Sequence, residues 1–240
     1  MILIFGANGT LGRCLIKKAL EENLSLIITS NSGFEELAND PIIKKSSIQL
    51  IKCDVLKRSD VQDIFKHIRV NNLSIKGIIN NFAYTYDERV SPLSSEEDKV
   101  RNVLNVNYFG LSSVFEELVS DEDFTKDRLR IVNVLSNSIK TLNASNHHYI
   151  SSKVAAETLT KFYAKKCSDN LTINNIAPGL MKSRLTEKRF AKDSKDIIAA
   201  TPLGRLASVD EVAELTLYLA TKVPLSLCGQ TLYIDGGRTL

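Results

Sequence analysis

The chain has 240 residues, 43% of them hydrophobic, and its 31 basic and 28 acidic side chains give a formal net charge of +3. That length suits one doubly wound domain with a full core and leaves hardly any room for a second. The charge shows no strong asymmetry between the halves and gives no support to nucleic-acid binding, and no apolar run approaches the roughly 18 residues of a membrane span.

In chain order, MILIF is followed at once by glycine. It is too short for a signal peptide and lacks the charged leader, so a soluble cytoplasmic protein is expected. A strand is predicted over 2–5 and an amphipathic helix over 10–22. The pattern repeats with strands at 24–29, 48–53, 77–80, 130–135, 171–177 and 231–235. Helices are predicted between them at 34–39, 59–71, 96–120, 149–168 and 208–221, with a further helical segment at 184–200. Such alternation means parallel strands joined by helical crossovers, a Rossmann-type doubly wound α/β sheet of about seven strands with helices on both faces. ILIF and GIIN are continuous apolar runs, as central strands covered on both faces should be. Ser208 with Glu211 three places on forms a capping box for the last long helix. With no repeat, low-complexity tract or linker, residues 1–240 read as one domain.

The first strand runs into GANGTLG, residues 6–12, which opens the first helix. A glycine turn between strand and helix lets the backbone approach a pyrophosphate and points the free N–H groups of a helix N-terminus at it. At the end of the second strand, where a carboxylate would mark NAD, stands TSNS (29–32). Ser30 and Asn31 can hydrogen-bond a 2′-phosphate and Arg13 can add charge, so NAD(P) is expected with a lean to NADP. Cys14, Cys53, Cys167 and Cys228 lie far apart without a CxxC pair. His67, His147 and His148 form no ligand spacing with them, so reduced thiols and no metal site are expected.

HHYISSK, residues 147–153, puts Tyr149 and Lys153 at i and i+4, on one helix face. Ser136 follows the strand RIVNVL at the carboxyl edge of the sheet, where ligands of open parallel sheets bind. Serine, tyrosine and lysine are thereby expected over one cleft. The histidines beside the tyrosine read as exposed loop residues.

These residues, with CDV (53–55), NN (80–81), NVNYFG (105–110), IAPG (176–179) and YIDGG (233–237) in order, resemble the short-chain dehydrogenase/reductase family, classical branch. The tail TPLGRLASVDEVAELTLYLAT looks like that of 3-oxoacyl-carrier-protein reductase-like members. The resemblance implies Tyr149 as general acid/base, Ser136 as hydrogen-bond donor to the substrate oxygen, Lys153 as ribose ligand and tyrosine-acidifying cation, and Asn107 as anchor of a water beside the lysine. It implies a cofactor site of Gly6, Asn8, Gly9, Thr10, Leu11, Gly12, Ser30, Asn31, Asp54, Val55, Asn81, Phe82, Ala83, Tyr149, Lys153, Pro178, Gly179, Met181 and Ser183. An ammonium about 4 Å from the phenol at an effective dielectric near 20 would bring the tyrosine toward neutrality by roughly three pH units. Relatives also pair the helices corresponding to 96–120 and 149–168 into dimers or tetramers.

Two features depart from the family pattern. NNFA replaces the usual NNAG, so bulk at Phe82 is expected to reshape the pocket, and the second glycine comes three residues after Gly6, with Thr10 in the usual glycine place. A substrate lid is expected over 181–203. Its Lys182, Arg184, Lys188, Arg189, Lys192 and Lys195 suit either an anionic carbonyl or alcohol substrate or a solvated mobile segment. Tyr84 and Tyr86 are candidates for lining the pocket or for packing. The contrasting reading is a nucleotide-binding regulatory protein that does no chemistry on the same fold.

Overall fold

The structure is a computed structural model and describes residues 1–86, 96–120, 128–144, 146–166 and 170–240. Cys167 and the end of the helix predicted over 149–168 lie outside the described residues. Seven parallel strands form one sheet in the order β3-β2-β1-β4-β5-β6-β7. The strands are β1 Ile2–Phe5, β2 Leu26–Ser30, β3 Gln49–Lys52, β4 Gly77–Asn80, β5 Leu129–Val134, β6 Leu171–Pro178 and β7 Thr231–Ile234. The chain order reverses direction across the sheet between β1 and β4, which opens a crevice at their carboxyl ends.

The helices are α1 Thr10–Glu21, α2 Phe34–Ala38, α3 Pro41–Lys45, α4 Arg58–Val70, α5 Glu96–Leu104, α6 Leu111–Val119, α7 Ser138–Thr141, α8 His147–Ala164, α9 Glu187–Ala199 and α10 Val209–Thr221. Alternation along each strand sends side chains to opposite faces. Ile2 and Ile4 therefore join a core with Leu15 of α1 and Leu217 of α10, while Leu3 and Phe5 join one with Phe65 of α4 and Phe115 of α6. The capping box forms as expected: the Ser208 hydroxyl accepts from Glu211 N–H and the Glu211 carboxylate accepts from Ser208 N–H.

The structure adds the short helix α7, which lies in none of the predicted segments, and corrects the predicted elements at four further places. The second strand starts at Leu26 rather than 24, because Asn23 adopts a left-handed conformation and Leu24 N–H still caps α1 by donating to the Ala19 carbonyl. Helix α3 was not predicted, although Asp40 as N-cap and Pro41 at its first turn are its start signal. The helix predicted over 96–120 is interrupted by a π-helical turn at Asn105–Gly110. Helix α8 begins at His147, so His147 and His148 belong to its first turn rather than to a loop.

A buried polar ladder ties α8 to the sheet. Asn80 donates to Asn133 Oδ1 (2.8 Å), and Asn133 donates to Thr160 of α8 (2.9 Å) and to Asn175 (3.2 Å). Buried amides tolerate desolvation only when partnered this way, so the ladder fixes where α8 stands over β5 and β6.

Candidate active site

The glycine turn has a separate steric reason at each position. Gly6 has φ +75°, and a Cβ there would stand 2.6 Å from Phe82 N. A Cβ on Gly12 would stand 2.4 Å from the Ala7 carbonyl, so this glycine lets α1 press onto its strand. Gly9 is different: a Cβ there meets nothing within 4 Å. Gly9 is also the N-cap of α1 and provides no side-chain cap, which leaves the first N–H groups of the helix facing that open space. This is a cradle for an anionic group, and the residues present fit a dinucleotide pyrophosphate.

The turn opens into a cavity of about 710 Å³. Its wall includes Gly6, Asn8, Gly9, Thr10 and Leu11, then Ser30 and Asn31 at the end of β2, and Asp54 and Val55 after β3. It continues through Asn81, Phe82 and Ala83 after β4, Ser136 after β5, Tyr149 and Lys153 of α8, and Pro178, Gly179, Met181 and Ser183 after β6. Of the site residues expected from sequence, Gly12 and Asn107 are absent from the wall. Gly12 is buried against Ala7, and Asn107 lies beneath the surface in the π-helical turn.

Asn107 fastens two site segments together. Its Oδ1 accepts from Tyr84 N–H (2.8 Å), and its Nδ2 donates to the Tyr84 carbonyl and to Ser152 Oγ, both at 2.9 Å. Both amide protons are thus committed to protein atoms. Asn146 does similar work at the start of α8, accepting from Tyr149 N–H (2.7 Å) and donating to Thr85 Oγ1 and the Tyr86 carbonyl. The loop after β4 and the start of α8 are therefore tied together by these hydrogen bonds. The signal for Asn146 was in the sequence: an asparagine three places before Tyr149, at an N-cap.

Tyr149 and Lys153 share the cavity wall, but the expected charge relation between them does not hold in this fold. Lys153 Nζ stands 5.8 Å from the Tyr149 ring centre and donates to the Val134 carbonyl (2.8 Å). Burial pushes the Tyr149 phenol up to about 12, against smaller opposing effects of a hydrogen bond from Ser136 and the positive charge of Arg189. Burial also brings Lys153 down to about 8. Desolvation disfavours the charged form of both groups.

Phe82 corrects the expectation attached to NNFA. Its ring meets Phe5 edge-on with centroids 6.3 Å apart, and its edge reaches the bare Cα of Gly110, where a Cβ would be 3.4 Å from Cε2. The extra bulk is absorbed by the core between β1 and the π-helical turn, although the residue still borders the cavity. Tyr84 lines the cavity, whereas Tyr86 is buried behind it.

At the ribose end, Arg13 does not supply the expected charge to the pocket. Its guanidinium is held by Asp40 (2.7 Å), Glu36 (2.9 Å) and Asn8 Oδ1 (2.8 Å). Arg184 reaches across from the segment after β6 to Glu36 (3.1 Å) and to the Asn8 carbonyl (2.9 Å). Of the six basic residues counted in 181–195, only Arg184 and Arg189 line the cavity; Lys182, Lys188, Lys192 and Lys195 are exposed to solvent. Sequence reasoning missed Arg238, Asn137 and Asn143 on the wall, since nothing local marks them.

Among the described residues no cluster of histidine, cysteine or carboxylate side chains is arranged to hold a metal ion, and Cys14, Cys53 and Cys228 are free thiols. No helix among the described residues is long and apolar enough to cross a membrane.

The family model described as Enoyl-(Acyl carrier protein) reductase matches residues 6–239. The chain is 28% identical to the 3-oxoacyl-[acyl-carrier-protein] reductase FabG of Aquifex aeolicus, over 98% of this chain and 95% of that protein. Among solved structures it resembles the aldohexose dehydrogenase of Thermoplasma acidophilum in ligand-free form (TM-score 0.82, 24% identity, 99% of this chain and 93% of that one). It also resembles a gluconate 5-dehydrogenase of Burkholderia cenocepacia in complex with NADP and tartrate (TM-score 0.85, 23% identity, 99% and 94%).

Proposed function

The chain belongs to the short-chain dehydrogenase/reductase family and is an NAD(P)-dependent oxidoreductase; from that premise we propose that Tyr149, Ser136 and Lys153 carry a carbonyl reduction or its reverse. The observation that carries the reading is that β5 and α8 deliver these three side chains to the same cavity wall as the glycine turn.

Reduced nicotinamide, when bound, supplies hydride to the carbonyl carbon. Tyr149 gives its phenolic proton to the carbonyl oxygen as negative charge grows there, and takes one from the alcohol in the opposite direction. A phenol whose proton is held up to about 12 by burial is fully loaded at neutral pH. Ser136 donates to the same oxygen, a contact that strengthens as charge develops. Lys153 would hold the ribose hydroxyls and offers a cation on the same cavity wall as the phenol. Asn107 and Asn146 are positioning residues that keep the loop after β4 registered on α8.

Gly6, Asn8, Gly9, Thr10 and Leu11 cradle the pyrophosphate, with Gly12 permitting the approach of α1. Ser30 and Asn31 face the adenosine ribose, Asp54 and Val55 the adenine, Asn81, Phe82 and Ala83 the nicotinamide ribose, and Pro178, Gly179, Met181 and Ser183 the carboxamide. NADP is favoured over NAD: no acid stands in TSNS, and NADP is bound by the solved gluconate 5-dehydrogenase of the same fold. Residues 1–240 act as one domain with a substrate lid over about 181–203. Exposed Phe109, Val119, Val154 and Phe162 on α6, α8 and the π-helical turn support a homodimer or homotetramer, and free thiols support a cytoplasmic protein.

Tyr149→Phe removes the phenolic hydroxyl, and with it the acidic proton, while keeping the ring. It should lower kcat by about 10²–10⁴ while the dissociation constant for the cofactor stays within twofold. Unchanged turnover, measured as NADPH absorbance over a panel of ketones, keto acids and acyl thioesters, would instead favour a nucleotide-binding regulator.

A further inference from the structure

We propose that Arg184 is a latch on the cofactor groove: its ion pair with Glu36 ties the segment after β6 to the glycine turn, and the dinucleotide enters and leaves when that tie opens. The inference rests on the dinucleotide site and goes beyond the carbonyl-reductase reading, because it concerns how the cofactor is exchanged rather than what it reduces.

The order of the sheet is the first observation. β6 stands three strand spacings from β1, roughly 14 Å at the usual interval. Bonds between the segment after β6 and the turn after β1 therefore span the mouth of the crevice above β4 and β5. Arg184 makes two of them: its main-chain N–H donates to Thr10 Oγ1 (3.3 Å) and its Nη2 donates to the Asn8 carbonyl (2.9 Å). A third contact, from Nη1 to Glu36 of α2 (3.1 Å), carries the span on to the loop after β2. Asn8 and Thr10 flank Gly9, the open face of the pyrophosphate cradle, and Arg184, Asn8 and Thr10 all line the cavity. A pyrophosphate on its way to the cradle meets this bridge first.

Both ends of the tie are built. On one side, the Glu36 carboxylate also accepts from Asn8 Nδ2 (3.1 Å) and pairs with Arg13 (2.9 Å). Asn8 in turn lies against Gly33, where a Cβ would stand 1.6 Å from its Nδ2, so the loop after β2 and the glycine turn form one anchor. On the other side, Thr186 is the N-cap of α9 and closes residues 181–186 into a turn. Its hydroxyl accepts from Ser183 N–H (3.1 Å), shares a hydrogen bond with the Ser183 hydroxyl (2.8 Å) and donates to the Met181 carbonyl. That turn presents Arg184 to the anchor. An exposed ion pair alone contributes little, and both partners here are half-exposed; the bonds to Asn8 and Thr10 add to it. The result is a tie that holds the segment and still opens repeatedly, as an exchanging cofactor requires.

A latch has a kinetic signature of its own. When entry and exit both wait for the same opening, both rate constants carry the fraction of time the tie is open, and the ratio between them does not.

Arg184→Lys keeps the charge but loses the fork that reaches Glu36 and Asn8 together. In stopped-flow fluorescence with NADPH and the whole protein, its association and release rate constants should both rise by about three- to tenfold, with Kd within twofold of the parent. Arg184→Gln should speed release at least as much. Faster release with unchanged or slower association in Arg184→Lys would overturn the latch and make Arg184 a direct ligand of the phosphates. Unchanged rates in both variants would overturn it as well and leave a surface ion pair. Hydrogen exchange on the protein without nucleotide gives a second reading: amides of 181–186 should exchange several-fold faster in Arg184→Gln, while those of β6 and α10 stay as in the parent. Equal exchange in parent and variant overturns the tie, whatever the protein binds. Faster exchange in a protein that binds neither NADPH nor NADH would support the tie and count against the dinucleotide site alone.

Discussion

Lys153→Met should make the protein more stable at neutral pH while abolishing its proposed chemistry. The Lys153 side chain is 3% exposed, and the one hydrogen bond defined for its ammonium goes to the Val134 carbonyl. Its folded pKa of about 8 lies below the ordinary lysine value of 10.5. At 1.36 kcal/mol per pH unit, that interval corresponds to about 3 kcal/mol of preference for the neutral amine. A depressed folded pKa means that the unfolded chain binds more protons between about pH 8 and 10.5. Stability of the parent should therefore rise with pH across that window, and the gain should be lost as pH falls through 8. Methionine fills a similar volume without charge and forgoes a hydrogen bond worth about 1 kcal/mol. The variant should thus exceed the parent by about 2 kcal/mol at pH 7, and the gap should shrink toward pH 10. Urea unfolding followed by circular dichroism at pH 7, 8, 9 and 10, at fixed protein concentration, measures this directly, and the difference between the two proteins cancels the titration of Cys53, which burial also perturbs. A variant less stable than the parent at pH 7, or a gap independent of pH, would refute the reasoning.

Further outcomes follow from the same geometry. Gly9→Ala should leave thermal stability unchanged and weaken NADP⁺ binding by tenfold or more, because its Cβ enters only the open cradle. Gly12→Ala should lower the melting temperature sharply, because that Cβ meets the Ala7 carbonyl at 2.4 Å; equal effects of the two in calorimetry would contradict the assignment. Glu36→Gln should free Arg184 from its carboxylate while leaving Arg13 paired with Asp40 alone, and improve NADPH binding several-fold more than NADH binding, read from paired titrations. The ultraviolet phenolate difference between parent and Tyr149→Phe should show no ionisation below about pH 10 without cofactor; a transition near pH 7 would mean that Lys153, rather than burial, governs the phenol.

Much of the fold was legible because parallel strands buried on both faces leave apolar runs that need no partner to be recognised. ILIF and GIIN fall on β1 and β4 with their predicted limits, and GANGTLG marks the strand-to-helix turn by its glycines alone. The site was legible wherever a local pattern placed a side chain, as in Tyr149 and Lys153 one turn apart on α8. What escaped depends on contacts between distant segments. The ring of Phe82 finds room only because Gly110, in the interrupted helix, lacks a Cβ, and no window of sequence contains both. Arg13 appears in sequence as a free cation beside the turn, yet Glu36 and Asp40 fold back to neutralise it.

The amino-acid order by itself thus determined the alternation of strands and helices, the glycine cradle and the spacing of the serine, tyrosine and lysine. Tertiary structure decided which charges face the cavity. It sent four lysines of the segment 181–195 into solvent while turning Arg189 inward and bringing Arg238 back from the far end of the chain. Periodicity follows from the geometry of a single backbone element, whereas desolvation and ion pairing depend on everything packed around a group, so only the assembled fold could set the protonation of Tyr149 and Lys153.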